Sequence, residues 1–369
     1  MRLQVPPAML LAVFVLLAAS QASGQSTASD LADAGWRAIK AADADRAASL
    51  FRDALLREPR DAGMNYGAGV AAHLQGRDDE ASRHLKKALE IEPRFSSASA
   101  LLGEIAYHDG DLELAIRTYE KAIALSPRAA EALQPRLDAW RSEASVHHSF
   151  STVKDDRFSV MFEGPVEQKL AIRATAVLGN AFWAIGKAIG TYPNGPITVI
   201  FYSDQQFRDI TGAPEWSGGQ FDGQIRLPVR DALRSPQLLD RVLVHELVHA
   251  MVSQVAPRNV PAWLHEGLAM WFEDEDPAAA RRTLSKLRVF IPLMQLQGSF
   301  MGLTTAQANI AYSESLFAAW ALRERIGAAG LGQLLQDLEG GQAIDAAVQR
   351  FGFTFGEFEK DLVQRISRR

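Results

Sequence analysis

A repeat with a period of 34 residues occupies the first third of the chain and restricts its fold more than any other feature of the sequence. Proline recurs at this spacing, and other columns keep the same register: Pro59, Pro93, Pro127; Gly35, Gly69, Gly103; Ala47, Ala81, Ala115; Ala54, Ala88, Ala122; Phe51, Leu85, Tyr119; Gly76, Gly110. Repeats of this length form helical hairpins, and one hairpin cannot bury its apolar face alone, so neighbours must stack. We therefore predict three stacked hairpins that start near residues 28, 62 and 96.

The period and these columns resemble tetratricopeptide repeats. The resemblance implies a curved helical solenoid whose concave groove binds a protein partner or a peptide. Residues 129–144, which contain Trp140, are expected to form a closing helix with a polar outer side. An array that only supports the rest of the chain, or that mediates dimerisation, is the alternative.

The second constraining feature is the motif His245-Glu246-Leu247-Val248-His249. Helical residues four apart lie one turn above each other, so the two imidazoles can bind one metal ion from the same face. Glu246 cannot share that ion at good geometry, but it can reach a water molecule held there. The flanking residues are apolar nearly all round, which predicts a buried helix whose polar side chains need partners. We interpret the motif as a zinc site, and a catalytic zinc needs a third protein ligand and an open position.

The third ligand is expected on the next helix. Residues 253–261 carry the breaker signals of a loop, and Trp263-Leu264-His265-Glu266-Gly267-Leu268-Ala269 follows. HExxH followed by WLxEGxA resembles the gluzincin metallopeptidases, in particular the peptidase MA-like group. The resemblance implies that His245, His249 and Glu266 are the zinc ligands and that Glu246 is the catalytic base. His265 is the alternative ligand, but adjacent helical residues point about 100° apart, so only one of the pair faces the metal, and the resemblance favours Glu266.

Composition narrows the chemistry further. The chain contains no cysteine, which excludes thiolate ligands, disulfides and cysteine nucleophiles and leaves histidine and carboxylate as zinc donors. The net charge of -5 gives no sign of a nucleic-acid-binding surface. Zn²⁺ is the one cofactor expected.

The N-terminus predicts export. Arg2 precedes an apolar run over residues 8–19, and small residues follow it up to Gly24. This run is shorter than the roughly 20 residues that a membrane-spanning helix needs, and the pattern is typical of a secretory signal peptide. We expect residues 1–24 to be removed after Ala22 or Gly24, which leaves a periplasmic or secreted protein without a stable membrane span. An uncleaved membrane anchor is the alternative.

Between the repeats and the motif, the pattern changes to that of strands. Residues 149–153 and 157–163 alternate polar and apolar side chains, and the apolar run Ile197–Tyr202 predicts a central strand. The strand Gln224–Pro228 is expected at a sheet edge because Pro228 lacks a backbone donor. By resemblance to the gluzincins, this edge would lie beside the zinc and pair with an extended substrate. An ordinary glycine-rich connection is the alternative.

Downstream of the second zinc helix, the chain is predicted to be helical, and residues 311–317 resemble the helix that completes the peptidase MA-like core. A gluzincin usually supplies a second electrophile to hold the oxyanion, and no histidine follows His265. Tyr312 is therefore the candidate catalytic residue for this role, with Ser315 one turn on to orient its hydroxyl. A tyrosine that belongs only to the core is the alternative.

Together these features predict a mostly α chain with an α+β catalytic domain. Its parts are a signal peptide at residues 1–24, a tetratricopeptide solenoid with its closing helix at residues 28–145, and a gluzincin-like peptidase core at residues 147–369. We expect the last two parts to fold alone. The expected function is that of an exported zinc metallopeptidase that hydrolyses peptide bonds and whose repeats recruit a protein partner or substrate. The alternative is a non-catalytic protein-binding scaffold with a vestigial zinc domain.

Overall fold

The computed structural model describes residues 26–193, 195–213, 218–229, 235–287, 290–300 and 303–367. The predicted signal peptide lies outside these ranges. Within them, the chain is mostly helical and contains one five-stranded sheet, which confirms the predicted fold class. None of the described helices is long and apolar enough to cross a membrane.

Six helices pair into three hairpins, and a seventh packs on the last of them. Their bounds are α1 Ala28–Lys40, α2 Ala44–Arg57, α3 Ala62–Leu74, α4 Asp78–Ile91, α5 Ser96–His108, α6 Leu112–Leu125 and α7 Pro127–His147. Asp43, Asp61 and Asp111 set three of the helix starts, because each side chain accepts a backbone N–H from the first turn of α2, α3 and α6. We refer to residues 28–147 as the repeat array.

The glycine column and the large-residue column of the repeat contact each other. A Cβ on Gly35 would lie 2.8 Å from the ring of Phe51, and a Cβ on Gly103 would lie 2.6 Å from the ring of Tyr119. The large side chain of the second helix thus fills the space that glycine leaves on the first helix. This contact explains why both columns recur with the same period.

The sheet follows the repeat array. Its strands are β1 Ser151–Lys154, β2 Phe158–Phe162, β3 Ile197–Tyr202, β4 Gln220–Phe221 and β5 Ile225–Pro228, in the spatial order β1-β2-β3-β5-β4. The strands β2, β3 and β5 are parallel, whereas β1 and β4 are antiparallel to their neighbours. Helix α8, Pro165–Ile189, connects β2 to β3, and α9, Asp204–Thr211, follows β3. The three strands predicted between residues 149 and 202 are confirmed, with ends within two residues.

The expectation that Gln224–Pro228 lies at a sheet edge is wrong. Strand β5 pairs with β3 on one side and with β4 on the other, so that β4 forms the edge. The turn Asp222–Gln224 joins the two, and we refer to residues 220–228 as the β4–β5 hairpin. The paired glycines and aromatic residues of 216–223 predict a hairpin or a loop that leads into this strand. They do not show that β4 forms the edge, because a strand of two residues leaves no alternation to detect.

The sheet is covered on both faces. One face packs against α8 and the motif helix in the main core, to which it contributes Val160, Val199, Phe201, Ile225 and Leu227. On the opposite face, Ile200 and Tyr202 pack against Phe207 of α9 and against Val146 near the end of α7. Helix α7 therefore extends beyond the repeats, and its last turn belongs to the packing of the sheet.

The described residues that follow the sheet are mostly helical. Their elements are α10 Pro236–Val255, α11 Ala262–Phe272, α12 Pro277–Leu287, α13 Thr305–Glu339, α14 Ile344–Ala347 and α15 Phe355–Ser367, with short 3-10 turns at 293–295 and 348–351. Helix α13 breaks at Gly327, where φ is 73° and ψ is 176°. The pattern of the sequence predicts two helices here, at residues 305–326 and 330–338, and the break lies in the gap between them.

Candidate metal centre

The HExxH motif lies on α10, which is buried along most of its length. The side chain of Ser235 accepts a hydrogen bond from the backbone N–H of Leu238 at the start of the helix. Pro236 stands in the first turn, where the backbone N–H that proline lacks would have no partner within the helix. From this helix His245 and His249 project to the same side, and their Nε2 atoms lie 3.2 Å apart. The four-residue spacing thus brings the two imidazoles together as the sequence predicts.

Helix α11 brings Glu266 to the two histidines. Gly267, the next residue, lies against α13 so closely that a Cβ on it would be 2.1 Å from the backbone oxygen of Ser315. Only glycine permits this approach, and it fixes the rotation of α11 about its own axis. The Oε2 atom of Glu266 consequently lies 3.7 Å from Nε2 of both His245 and His249.

The separations between these three donors fit a tetrahedral zinc ion. His245, His249 and Glu266 form a group whose ligand atoms all lie within 4.8 Å of one another, the one such group found among the described residues. Ligands about 2.0–2.1 Å from a tetrahedral ion lie about 3.4 Å apart. The distances of 3.2, 3.7 and 3.7 Å bracket that value without any rearrangement of the backbone. We refer to these residues as the donor triad.

Glu273 contacts the ring nitrogen of His245 that faces away from the donor triad. Its Oε2 lies 2.9 Å from Nδ1 of His245, and its Oε1 accepts a hydrogen bond of 2.9 Å from Arg241. Burial lowers the pKa of His245, but the carboxylates of Glu266 and Glu273 outweigh it and raise the pKa to about 10. A carboxylate on Nδ1 fixes the tautomer in which Nε2 is the ligand atom. Glu273 is not among the site residues predicted from the sequence. It follows Glu266 by seven residues, about two helical turns, and this spacing is the one signal in the sequence that points to it.

The second histidine is neutral and rests on His265. Burial lowers the pKa of His249 to about 3 and that of His265 to about 4. The Nδ1 atoms of the two rings lie 3.3 Å apart. His265 therefore contacts the far side of a donor rather than joining the triad, which is the place expected of it when Glu266 is the third ligand.

Glu246 is buried beside the triad, with 7% of its surface exposed. Burial raises the pKa of its carboxyl to about 7. Gly219, just before β4, approaches it: a Cβ on Gly219 would lie 3.0 Å from Oε1 of Glu246 and 2.8 Å from Leu227. The chain just before the edge strand thus packs so closely against this carboxylate, Leu227 and Val242 that only a glycine fits at this point.

Tyr312 lies near the same carboxylates. Its ring packs edge-on against Phe300, with ring centroids 5.4 Å apart, and it is half-buried. Burial, together with the charges of Glu266 and Glu246, raises the pKa of its hydroxyl to about 12. The expected help from Ser315 is absent, because its hydroxyl is buried without a hydrogen-bond partner among the described residues.

Comparison with protein families agrees with this arrangement. Residues 177–367, more than half of the chain, match the model of the Peptidase MA superfamily. The chain belongs to the peptidase MA superfamily. Residues 38–105 and 96–128 match tetratricopeptide repeat models. No curated protein matches the chain in a sequence search.

Membership in the peptidase MA superfamily indicates a protease-like hydrolase of a typically metal-dependent kind. The matched segment contains all of α10 and α11, and therefore the donor triad and Glu246. The repeat matches indicate that the first part of the chain binds a protein.

Proposed function

We propose that the protein is a zinc-dependent metallopeptidase that hydrolyses peptide bonds with Glu246 as general base. The observation that carries the proposal is the donor triad, with three donors at spacings suited to zinc and a buried carboxylate beside them. A set of three protein donors leaves the fourth position open, as in catalytic zinc sites. A purely structural zinc has no use for a carboxylate next to its ligands.

The residues of the chain divide the work of hydrolysis. Zinc, when bound, polarises the carbonyl of the scissile bond and acidifies water. Glu246 accepts the proton of the attacking water and returns it to the leaving amine. Because Glu246 is buried, its charge acts in a medium of low dielectric constant, where it attracts a proton strongly. Gly219 lets the chain before β4 pack directly against that carboxylate.

Substitution of the general base tests the proposal. In Glu246→Gln we expect zinc content near that of the wild type and a fall of about 10²–10⁴-fold in the cleavage of fluorescent casein, since general base catalysis contributes about that much. Glu131→Gln, at an exposed position on α7, is the matched control and keeps full activity. A wild-type protein that binds zinc but cleaves neither casein nor a library of quenched peptides would favour the non-catalytic scaffold.

We also propose that the repeat array holds the protein that the peptidase acts on, or a partner of it. Three half-buried aromatic residues lie in a row across successive repeats: Trp36, Tyr66 and Phe95, with ring centroids 5.6 and 4.9 Å apart. Aromatic side chains are enriched where proteins contact each other. Photo-crosslinking from position 66 in the Glu246→Gln protein identifies what is held, since that variant does not consume its substrate.

Export is the third part of the proposal, and it rests on the pattern of residues 1–24 alone. The mature protein is expected to begin at Ser23 or Gln25, in the periplasm or outside the cell. Intact-mass measurement of the protein purified from its native compartment decides this. A chain that still begins at Met1 and sediments with membranes would support the uncleaved anchor.

A further inference from the structure

The β4–β5 hairpin borders the candidate metal centre on one side. The residue just before it, Gly219, runs against Glu246, and a Cβ there would lie 3.0 Å from Oε1 of that glutamate. Leu227 of the hairpin contacts the same point, since that Cβ would also lie 2.8 Å from its side chain. A displacement of the hairpin would therefore change the space around the proposed general base.

The opposite side of the hairpin contacts the repeat array. His108, the last residue of α5, donates from Nδ1 to the backbone oxygen of Asp222 over 3.0 Å. A Cβ on Gly223, where φ is 103°, would lie 2.4 Å from the backbone oxygen of His108. A Cβ on Gly110 would lie 2.5 Å from the side-chain nitrogen of Gln224. The hairpin turn and the α5–α6 turn thus fit together with no room for another side chain.

A buried ion pair joins the hairpin to α7. Arg226 of β5 is 1% exposed and pairs with Glu143, while its Nε donates to Asp222 over 2.9 Å. The same guanidinium donates to the hydroxyls of Tyr202 and Tyr107 over 2.9 and 3.1 Å. Both hydroxyls donate to Glu143, over 3.2 and 2.9 Å. One guanidinium therefore connects the hairpin turn, β3, α5 and α7.

The two tyrosines keep this network closed. Burial raises the pKa of Tyr107 and of Tyr202 above the usual range, so that both hydroxyls stay protonated and keep their donor for Glu143. The second partner of the guanidinium, Asp222, is more exposed than Glu143, with side-chain exposures of 25% and 3%. Because a buried charge without a partner is strongly unfavourable, the hairpin cannot leave α7 while Arg226 remains buried.

We propose that Arg226 and Glu143 are positioning residues that hold the β4–β5 hairpin against Glu246. The repeat array is then a part of the peptidase site and not only a recruiting module, because the wall of the site is fixed from the repeat side. This inference rests on the proposed function for its catalytic readout, but the position of the hairpin can be measured without turnover.

Glu143→Gln in the full chain tests the inference. It removes the charge that faces Arg226 and keeps the size of the side chain. We expect amide hydrogen exchange in residues 218–228 to accelerate at least tenfold while α10 exchanges as in the wild type. Turnover of a quenched peptide, expressed as kcat per bound zinc and measured well below the melting temperature, should fall about tenfold. The matched control is Glu104→Gln, which removes an ion pair with Arg136 inside the repeat array.

The outcomes separate the two proposals. If Glu143→Gln leaves both hairpin exchange and kcat per bound zinc at the level of Glu104→Gln, the positioning role is wrong. If the wild type turns over no peptide but hairpin exchange accelerates as expected, the proposed function fails and the positioning holds. If Glu143→Gln does not fold, Arg226→Lys tests the same inference. Lysine keeps the positive charge but cannot form hydrogen bonds to all four partners of the guanidinium at once. The same acceleration is expected in this variant, and unchanged exchange would overturn the inference.

Discussion

The two imidazoles of the donor triad are supported by groups of different strength. His245 is held by the carboxylate of Glu273, which is itself held by Arg241, whereas His249 rests on the neutral ring of His265. A charged partner raises the basicity of a ligand more than a neutral one does. The metal affinity of the site should therefore depend more on Glu273 than on His265.

The first prediction at this scale compares how much each carboxylate around the site contributes to zinc affinity. Glu266→Ala should abolish stoichiometric zinc binding because it removes a ligand, and Glu273→Gln should weaken binding by about 10–100-fold because it removes the support of His245. The control is Glu275→Gln, because Glu275 also bonds Arg241 but has no contact with His245 among those described. Competition with a chelator of known affinity measures all three. Wild-type affinity in Glu266→Ala would make His265 the next ligand to test.

The second prediction concerns Tyr312. If its hydroxyl stabilises the oxyanion, Tyr312→Phe should fold and bind zinc normally but lose about 10²-fold or more in kcat, as when one oxyanion donor is removed. The structure favours this test over one on Ser315, since the phenol is half-buried within electrostatic reach of Glu246 and Glu266. Phe300, the aromatic neighbour, would keep packing against the new ring. Near-normal turnover in the variant would show that Tyr312 is a core residue without a role in catalysis.

At the scale of elements, the sequence predicts what is periodic and misses what is short. Some features involve several residues that fit one pattern, so a single residue that departs from the pattern does not obscure it. Such features are the 34-residue repeat, the four-residue spacing of His245 and His249, and the apolar run of β3. Strand β4 has two residues and no pattern, and its omission led to the wrong sheet edge. Glu273 was missed for another reason: a hydrogen bond to the back of a ligand has no fixed spacing in sequence.

The crossing of α11 and α13 gives the prediction at this scale. Gly267→Ala would place a methyl group 2.1 Å from the backbone oxygen of Ser315, and a helix backbone cannot yield as a side chain can. We expect a loss of about 3 kcal/mol or more and weaker zinc binding, because Glu266 would turn with α11. Gly179→Ala on α8 is the control, since nothing lies within 4 Å of a Cβ there. It should stabilise the helix by up to about 1 kcal/mol, and chemical denaturation of both variants compares them.

At the scale of the whole molecule, the boundary between repeats and peptidase is a buried interface. From the sequence, two parts that fold alone are expected, because a repeat array is held by its own neighbour contacts and the sheet has its own core. Sequence patterns report the burial of apolar residues but not which charged residue will be buried far along the chain. Arg226 and Glu143 are 83 residues apart. Arg226 lies between apolar residues of a strand and Glu143 among polar residues of a helix, so nothing in their local sequence marks them as partners.

The last prediction compares two fragments of the chain. One keeps the residues of the repeat array that form this interface, and the other lacks them. Residues 96–369 keep α5, α6 and α7, and with them Tyr107, His108 and Glu143. The loss of the first two repeats removes the ion pair of Asp45 with Arg258 and the contact of Gly76 with Pro257. Because Asp45 is exposed and Arg258 keeps its hydrogen bonds to the backbone oxygen of Glu339, this loss should cost the rest of the chain little. We expect this fragment to be monomeric, to bind one zinc ion and to unfold in one cooperative transition.

Residues 148–369 lack the partners that the repeat array supplies to Arg226. Arg226 would keep Asp222 but lose Glu143, and the removal of one partner from a buried ion pair costs about 3–5 kcal/mol, a large share of the roughly 5–15 kcal/mol that stabilises a domain. The face of the sheet that carries Ile200 and Tyr202 would also lose the cover of α7. We therefore expect this fragment to be insoluble or to lack a cooperative transition. Arg226→Met within it should recover part of the loss, since the apolar side chain removes the charge that has lost Glu143. A fragment 148–369 that melts cooperatively and binds zinc as the full chain does would show that the peptidase folds without its repeats.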